Sequence, residues 1–335
     1  MQTKEQIKNY MLKLISERDG ELVSKTVKYF GKSKSTVYNY LTQMQEDGII
    51  FKAEGGFELA RREYSFSYDN TKPLSESRIC FEDFEPLIAS FPKNIISIWR
   101  YAFMEMMNNA IEHSRAEKIF VTVKLDSVKT TVNISDNGIG IFRNIREYVM
   151  TERGEDMPLN ECVALLFAGK FTTARDMHSG EGIFFTSHLM DDFLIFSDDI
   201  IFSRDNFRDE QINIEKQSGG TLVSMSLYNN AKKTAREVFD RFSNVDDGFI
   251  KTLIPIAHVF PNGDPISRSE ARRLGGLIAS FKEVELDFAA VEEVGQAFVH
   301  ELFVVWKRSN PDVELKVLNT CDDVDFMIRR VINTK

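Results

Sequence analysis

Over residues 1–48 apolar side chains recur every three to four positions, the period of helices buried on one face. Thr3 can cap a first helix carrying Ile7, Met11, Leu12 and Ile15 on that face. A second fits residues 21–30, with Leu22, Val23, Val27 and Phe30 inward and Gly31 as the turn. Ser33 or Ser35 caps a third, with Val37, Leu41 and Met44 inward and Gly48 at its end. Residues 49–52 and 57–59 then flank Glu54-Gly55-Gly56, a hairpin signal. Residues 61–80 are polar, contain Pro73 and read as a connector with one strand at 64–68. Further on, the pattern predicts helices over 81–90 and 95–114, and strands over 118–125, 130–136, 193–196, 200–203 and 221–227. Between 141 and 182 the chain is long, polar and glycine-bearing, which inside a domain marks a functional loop or lid. From 230 onward, strand-like 284–288 and 314–318 alternate with helix-like 293–307 and 324–332, a small α/β unit. The fold class is therefore α/β (α+β) and multidomain, divided at 1–60, 61–80, 81–228 and 229–335.

Composition narrows the function classes. Of 335 residues, 43% are hydrophobic and 28% charged, the usage of an ordered globular protein. Forty-two basic against 51 acidic side chains leave a net charge of −9, which excludes a basic nucleic-acid coat and leaves room for one DNA-binding unit. Cys80, Cys162 and Cys321 lie far apart with no CxxC or metal spacing, as expected of reduced thiols in a cytosol. No apolar run approaches the ~20 residues of a membrane span, and the polar start MQTKEQIKNYMLK lacks a secretion-signal core. A cytoplasmic chain without membrane contact is expected.

Four segments carry candidate chemistry. Glu105 and Asn109 share a face of a predicted helix, with Glu112 three residues on. An acid beside an amide suits Mg²⁺, which takes hard oxygen ligands, and a carboxylate there can orient or deprotonate a water or hydroxyl. Asp136-Asn137-Gly138-Ile139-Gly140 follows a strand, so a carboxylate at a strand end precedes glycines that permit close backbone approach to a ligand. His178-Ser179-Gly180-Glu181-Gly182 opens an apolar helix, whose first N–H groups would suit a phosphate. Gly219-Gly220-Thr221 opens the strand over 221–227. Singly, each reads first as an ordinary polar helix face, a turn or a lone GxG.

Their order says more. ExxxNA on a helix, DxGxG after a strand, a segment closing in GxG, then GGT before a strand resemble the gyrase, heat-shock-chaperone, histidine-kinase and mismatch-repair (GHKL) ATP-binding superfamily over residues 81–228. The resemblance implies a two-layer α/β sandwich with a mixed sheet, the Bergerat-type ATP fold, with ATP and Mg²⁺ beneath a lid at 141–182. It makes Glu105 the general base, Asn109 the Mg²⁺ ligand and Asp136 the acceptor of the adenine amino group. Gly138 and Gly140 become the glycines against the adenine, Gly180 and Gly182 those beside the phosphates, and Thr221 the threonine near the adenine. Lys170, Thr172, Thr173 and Ser179 could touch phosphates, with no motif to choose among them. Many histidine kinases have asparagine where Glu105 stands; the glutamate resembles the hydrolase and anti-sigma serine-kinase branches. Histidines occur at 113, 178, 188, 258 and 300, none ahead of the ATP-binding region, so a histidine kinase carrying its own upstream acceptor helix is not expected. His113 reads as a structural helix end.

The C-terminal run Ile266 to Leu274, then Val284-Glu285-Leu286-Asp287-Phe288, then Gly295 to Phe303, looks like a STAS-like domain over residues 250–335. In phosphorylated antagonists of that kind a serine opens the helix after the strand. Here the stretch reads Gly295-Gln296-Ala297-Phe298, without a hydroxyl. The resemblance therefore implies a protein-interaction unit that docks a partner or its own ATP domain.

At the N-terminus, helix–turn–helix followed by a hairpin is the winged-helix pattern. Lys32, Lys34, Ser35, Thr36, Tyr38, Asn39 and Gln43 lie at or on the exposed face of its third helix. Lysines there would meet DNA phosphates, and amides can read adenine edges. Nine basic against eight acidic residues in 1–60 make a slight electrostatic footprint, and such units also dock proteins. The three units together point to a cytosolic, ATP- and Mg²⁺-dependent regulator that binds DNA. Lid closure would rearrange the flanking domains or form a homodimer, and slow hydrolysis through Glu105 would reset it. Two other readings stand beside it: an anti-sigma-type serine protein kinase acting on a separate STAS partner, and an ATP-locked interaction scaffold in a prokaryotic conflict system.

Overall fold

The helix signals at the N-terminus act locally. In this computed structural model, which describes residues 3–154, 156–170, 180–203, 219–244, 246–260 and 263–333, α1 (Lys4–Ser16) opens on a reciprocal cap. The Gln6 N–H donates to the Thr3 hydroxyl, and the Thr3 N–H donates to the Gln6 side chain. α2 (Leu22–Phe30) stops at Gly31 in the left-handed region, and α3 (Lys34–Glu46) starts from Ser33. β1 (Ile50–Ala53) and β2 (Gly56–Leu59) form the hairpin. Ile7, Met11, Leu12, Ile15, Val37, Leu41 and Met44 are all buried in one small core, as their spacing predicts. In α2 only Leu22 and Thr26 are buried; Val23, Val27 and Phe30 are half-buried against that core.

Residues 61–80 are not a connector. Only Ala60 and Arg61 separate β2 from β3 (Arg62–Asp69), which pairs along its whole length with β4 (Lys118–Leu125). Tyr64, Phe66 and Tyr68 face the core, while the polar residues between them face out at a sheet edge. That polar half makes the segment read as a linker. α4 (Glu76–Ile79) and α5 (Glu85–Ile88) flank a π turn at Cys80–Phe84, and the long α6 (Lys93–His113) follows. α6 buries Ile95, Ile98, Trp99, Ala102, Phe103, Met106, Met107 and Ala110.

After β5 (Lys129–Asp136) come α7 (Ile141–Arg153), α8 (Leu159–Ala168) and α9 (Gly182–Leu189). β6 (Asp192–Ser197), β7 (Ile200–Ser203) and β8 (Leu222–Tyr228) complete a six-stranded sheet in the order β3-β4-β5-β8-β6-β7. Every neighbouring pair is antiparallel, which corrects the mixed sheet expected above. The helical crossover does join two strands running the same way, β5 and β6. β8 slots between them and runs against both. The segment 141–182 is likewise not one long loop. α7 and α8 occupy much of it, and Cys162 to Ala168 are buried. Thr172, Thr173, His178 and Ser179 lie outside the described residues.

The C-terminal unit opens with α10 (Ala235–Phe242) and a short ribbon, β9 (Ser243–Asn244) with β10 (Gly248–Phe249). β11 (Lys251–Pro255), α11 (Ile256–Val259), α12 (Arg268–Ile278) and β12 (Glu283–Asp287) follow. α13 (Gln296–His300) runs through a π segment, Glu301–Trp306, into α14 (Lys307–Ser309), then β13 (Glu314–Leu318) and α15 (Asp322–Asn333). The three longer strands form a parallel sheet in the order β11-β12-β13 within the small α/β unit that the strand–helix alternation predicts; the pattern does not predict β11, α10 or α12. One continuous hydrophobic core runs through the six-stranded and three-stranded units. Phe184 of α9 lies 5.0 Å from Phe242 and 4.6 Å from Phe249, ring centre to ring centre. The change near residue 229 is thus a change of sheet without a break in packing. Among the described residues no helix is long and apolar enough to cross a membrane.

Candidate functional site

The C-terminal end of β5 meets the last turns of α6, the start of α7 and the start of α9 around a cavity of about 300 Å³. That is at the small end of ligand pockets, about 300–1,000 Å³. Glu105 and Asn109, one turn apart on α6, both line it. A β-carbon on Gly182, the first residue of α9, would collide with the Glu105 carboxylate. Asn109 Nδ2 stands 4.0 Å from Met106 Sδ. Gly180, Glu181 and Gly182 form the facing wall.

Asp136 ends β5 and is only 7% exposed. Its Oδ1 accepts the Gly138 N–H at 2.8 Å. Burial pushes its carboxyl up to about 6, against the opposing pull of the Gly138 and Thr221 backbone. Thr221 is also buried in the cavity wall, and its hydroxyl accepts the Ile141 N–H at 3.0 Å, capping the first turn of α7. Its carbonyl accepts the Asp136 N–H at 3.0 Å. The carboxylate, the threonine and the α7 terminus are therefore one hydrogen-bonded assembly.

Two glycines let that assembly close. Gly220 has φ +81°, and a β-carbon there would collide with the Asp136 carbonyl. A β-carbon on Gly138 would collide with the Ser114 carbonyl at the end of α6. Neither Gly138 nor Gly140 is among the residues lining the cavity. Gly140 precedes α7 and faces Ser197 and Asp198 of the β6–β7 turn.

Lys170 is directed elsewhere. Its ammonium donates to the Ser280 carbonyl at 3.1 Å in the C-terminal unit. Sequence reasoning also passed over Asn144, whose Nδ2 donates to the His113 carbonyl at 3.1 Å and pins α7 to α6 beside the cavity. Ile195 and Val223 line the cavity too, but on a strand their alternation looks the same as core alternation. Glu181 was visible between the two glycines without a signal that it faces the cavity. Tyr101, half-buried nearby, has its phenol pushed far up, first by desolvation and then by Glu105 and Glu181.

Glu105, Asp136 and Glu181 line the cavity, and no lysine or arginine does among the described residues. A polyphosphate there requires a cation to offset those charges. Among the described residues no group of three His, Cys, Asp or Glu side chains could hold a metal ion. Mg²⁺ commonly takes one or two protein oxygens with phosphates and waters for the rest, a mode the Asn109 amide oxygen fits.

The structure exposes Lys32 just ahead of α3, and Lys34, Ser35, Tyr38 and Asn39 on it. Thr36 and Gln43 are half-buried, and the Thr36 hydroxyl shares a 2.9 Å hydrogen bond with the capping Ser33 hydroxyl.

Residues 96–230 match the family model described as Histidine kinase-, DNA gyrase B-, and HSP90-like ATPase. Residues 270–325 match that of a STAS-like domain of unknown function (DUF4325). No curated protein matches the chain. The chain thus carries a GHKL-type ATPase domain, with the cavity of Asp136, Asn109 and Glu105 inside it, followed by a C-terminal STAS-like domain.

Proposed function

We propose that this chain is a cytosolic regulator that binds ATP with Mg²⁺ in the central domain and DNA through an N-terminal winged helix. The observation that carries the nucleotide reading is Asp136, a carboxylate buried at the base of a ligand-sized cavity whose other wall holds Glu105 and Asn109. A buried acceptor with one partner on Oδ1 has capacity left for the exocyclic amino group of adenine. Thr221 borders the same end, and Ile145 and Val223 give it apolar walls. Asn109 would hold Mg²⁺ with the phosphates. Glu105 would orient and deprotonate a water, a contribution of about 10²–10⁴-fold in such catalysis. Slow turnover of this kind would reset a nucleotide-biased arrangement of the flanking domains or a homodimer.

The DNA reading is supported by the exposed row Lys34, Ser35, Tyr38 and Asn39 on α3, and by the absence of an ion pair at Lys32 or Lys34 among the described residues. The STAS-like unit would hold a protein partner.

The test is γ-phosphate release from ATP and Mg²⁺ by the full chain, with and without duplex DNA, beside Glu105→Ala and Asp136→Asn. The proposal expects turnover that responds to DNA and disappears in both variants. ATP binding without turnover or DNA response would instead favour an ATP-locked scaffold, and failure of the wild type to bind ATP would refute the nucleotide reading.

A further inference from the structure

Lys170 follows Gly169, the residue that terminates α8, and a box built by the C-terminal unit holds its side chain. Besides its bond to Ser280, the ammonium stands 4.5 Å from the ring centre of Phe281 and 5.5 Å from that of Phe249. The two rings meet edge to face with centres 5.1 Å apart, and both are buried. A cation over aromatic faces is held electrostatically, and more firmly where water is excluded. Burial lowers the pKa of this ammonium while Glu181 opposes the shift, so a carboxylate on the cavity wall acts on the same cation.

The rest of α8 is gripped by the same unit. Glu161 near its start pairs with Arg273 at 2.6 Å, and the Ala168 carbonyl at its end accepts from the Thr252 hydroxyl at 3.1 Å. Leu166 of this helix lines the cavity. α8 therefore lies between the nucleotide cavity and the STAS-like unit, with Lys170 at its end. The cavity itself presents carboxylates where a polyphosphate would need positive charge.

We propose that the STAS-like unit restrains the nucleotide site through this box. Phe249, Ser280 and Phe281 hold the Lys170 ammonium off the cavity, and opening the box releases it to pair with the phosphates of a nucleoside triphosphate. The inference rests on the nucleotide reading above. The coupling is reciprocal, since whatever a triphosphate gains from Lys170 the box loses.

Affinities of the full chain for ATP and for adenosine, measured with Mg²⁺ by titration calorimetry, test it in the wild type, Phe281→Leu, Lys170→Gln and the double variant. Adenosine has the base and sugar but no phosphate, so it reports the Asp136 end alone. Phe281→Leu is expected to tighten ATP about tenfold, a loss of cation–aromatic hold of ordinary size, and to leave adenosine unchanged. In the Lys170→Gln background the same substitution is expected to do nothing to ATP. Phe249→Leu opens the box from its other wall if the Phe281 variant fails to fold. No tightening, equal tightening of adenosine, or tightening that survives without the lysine would each overturn the inference while leaving the nucleotide reading intact. Absence of binding by both ligands to the wild type would overturn both.

Discussion

Asp136→Asn should strengthen the fold while it destroys nucleotide binding. The carboxyl lies in a buried wall, and its pKa rises from 3.8 to about 6. At about 1.36 kcal/mol per pH unit, keeping it ionised at pH 7 costs the folded chain about 3 kcal/mol. Between pH 4 and 6 the folded state holds a proton that the unfolded state has released. Wild-type stability contributed by this group is therefore present at low pH and lost as pH rises through about 6. An asparagine keeps an oxygen for the Gly138 N–H and removes the charge. It gives up one acceptor facing the Thr221 backbone, at about 1 kcal/mol. The net expectation at pH 7 is a gain of about 2 kcal/mol, or about 3 °C in melting temperature for a chain of this length. Urea unfolding of the ligand-free proteins at pH 4, 6 and 8 measures it. The variant should match or trail the wild type at pH 4 and lead it at pH 8. A variant less stable than wild type at pH 8, or a gap independent of pH, would refute the assignment of a destabilising buried charge.

The wild-type affinity for ATP should itself fall as pH drops through about 6, because a protonated Asp136 loses acceptor capacity; calorimetry at constant ionic strength measures this. Gly220→Ala forces a β-carbon against the Asp136 carbonyl at φ +81°, so it should cost about 1–3 kcal/mol of stability and abolish nucleotide binding, read by thermal melting and calorimetry. Lys34→Ala should weaken binding to any duplex and reduce the salt-dependence slope by about 0.9, in fluorescence titrations across a salt series. Ser267→Ala removes the cap whose hydroxyl accepts the Glu270 N–H at 3.2 Å, and should destabilise the C-terminal unit by about 1 kcal/mol without altering ATP affinity.

What the sequence determined by itself is local. Caps at Thr3 and Ser33, the turn at Gly31, and the apolar spacing of the first three helices need only neighbouring residues, and each stands where the pattern puts it. The same holds for the strands over 118–125 and 314–318. Glu105 and Asn109 could be placed on one helix face because helical geometry alone brings them together.

Tertiary structure decided the rest. β3 alternates polar and aromatic residues at a sheet edge, and only its pairing with β4 tells it from a linker. α8 is apolar enough for a helix, but one of the sides that bury it is a C-terminal unit remote in sequence. The sheet became antiparallel because β8, following β7 in the chain, inserts between β5 and β6, and no local pattern encodes insertion. Gly138 and Gly140 were legible as glycines that permit close approach, while the backbone and side chains they approach belong to other elements. The direction of Lys170 depended on two rings far along the chain. Spacing specifies which face a residue shares; which partner fills that face is settled by long-range packing.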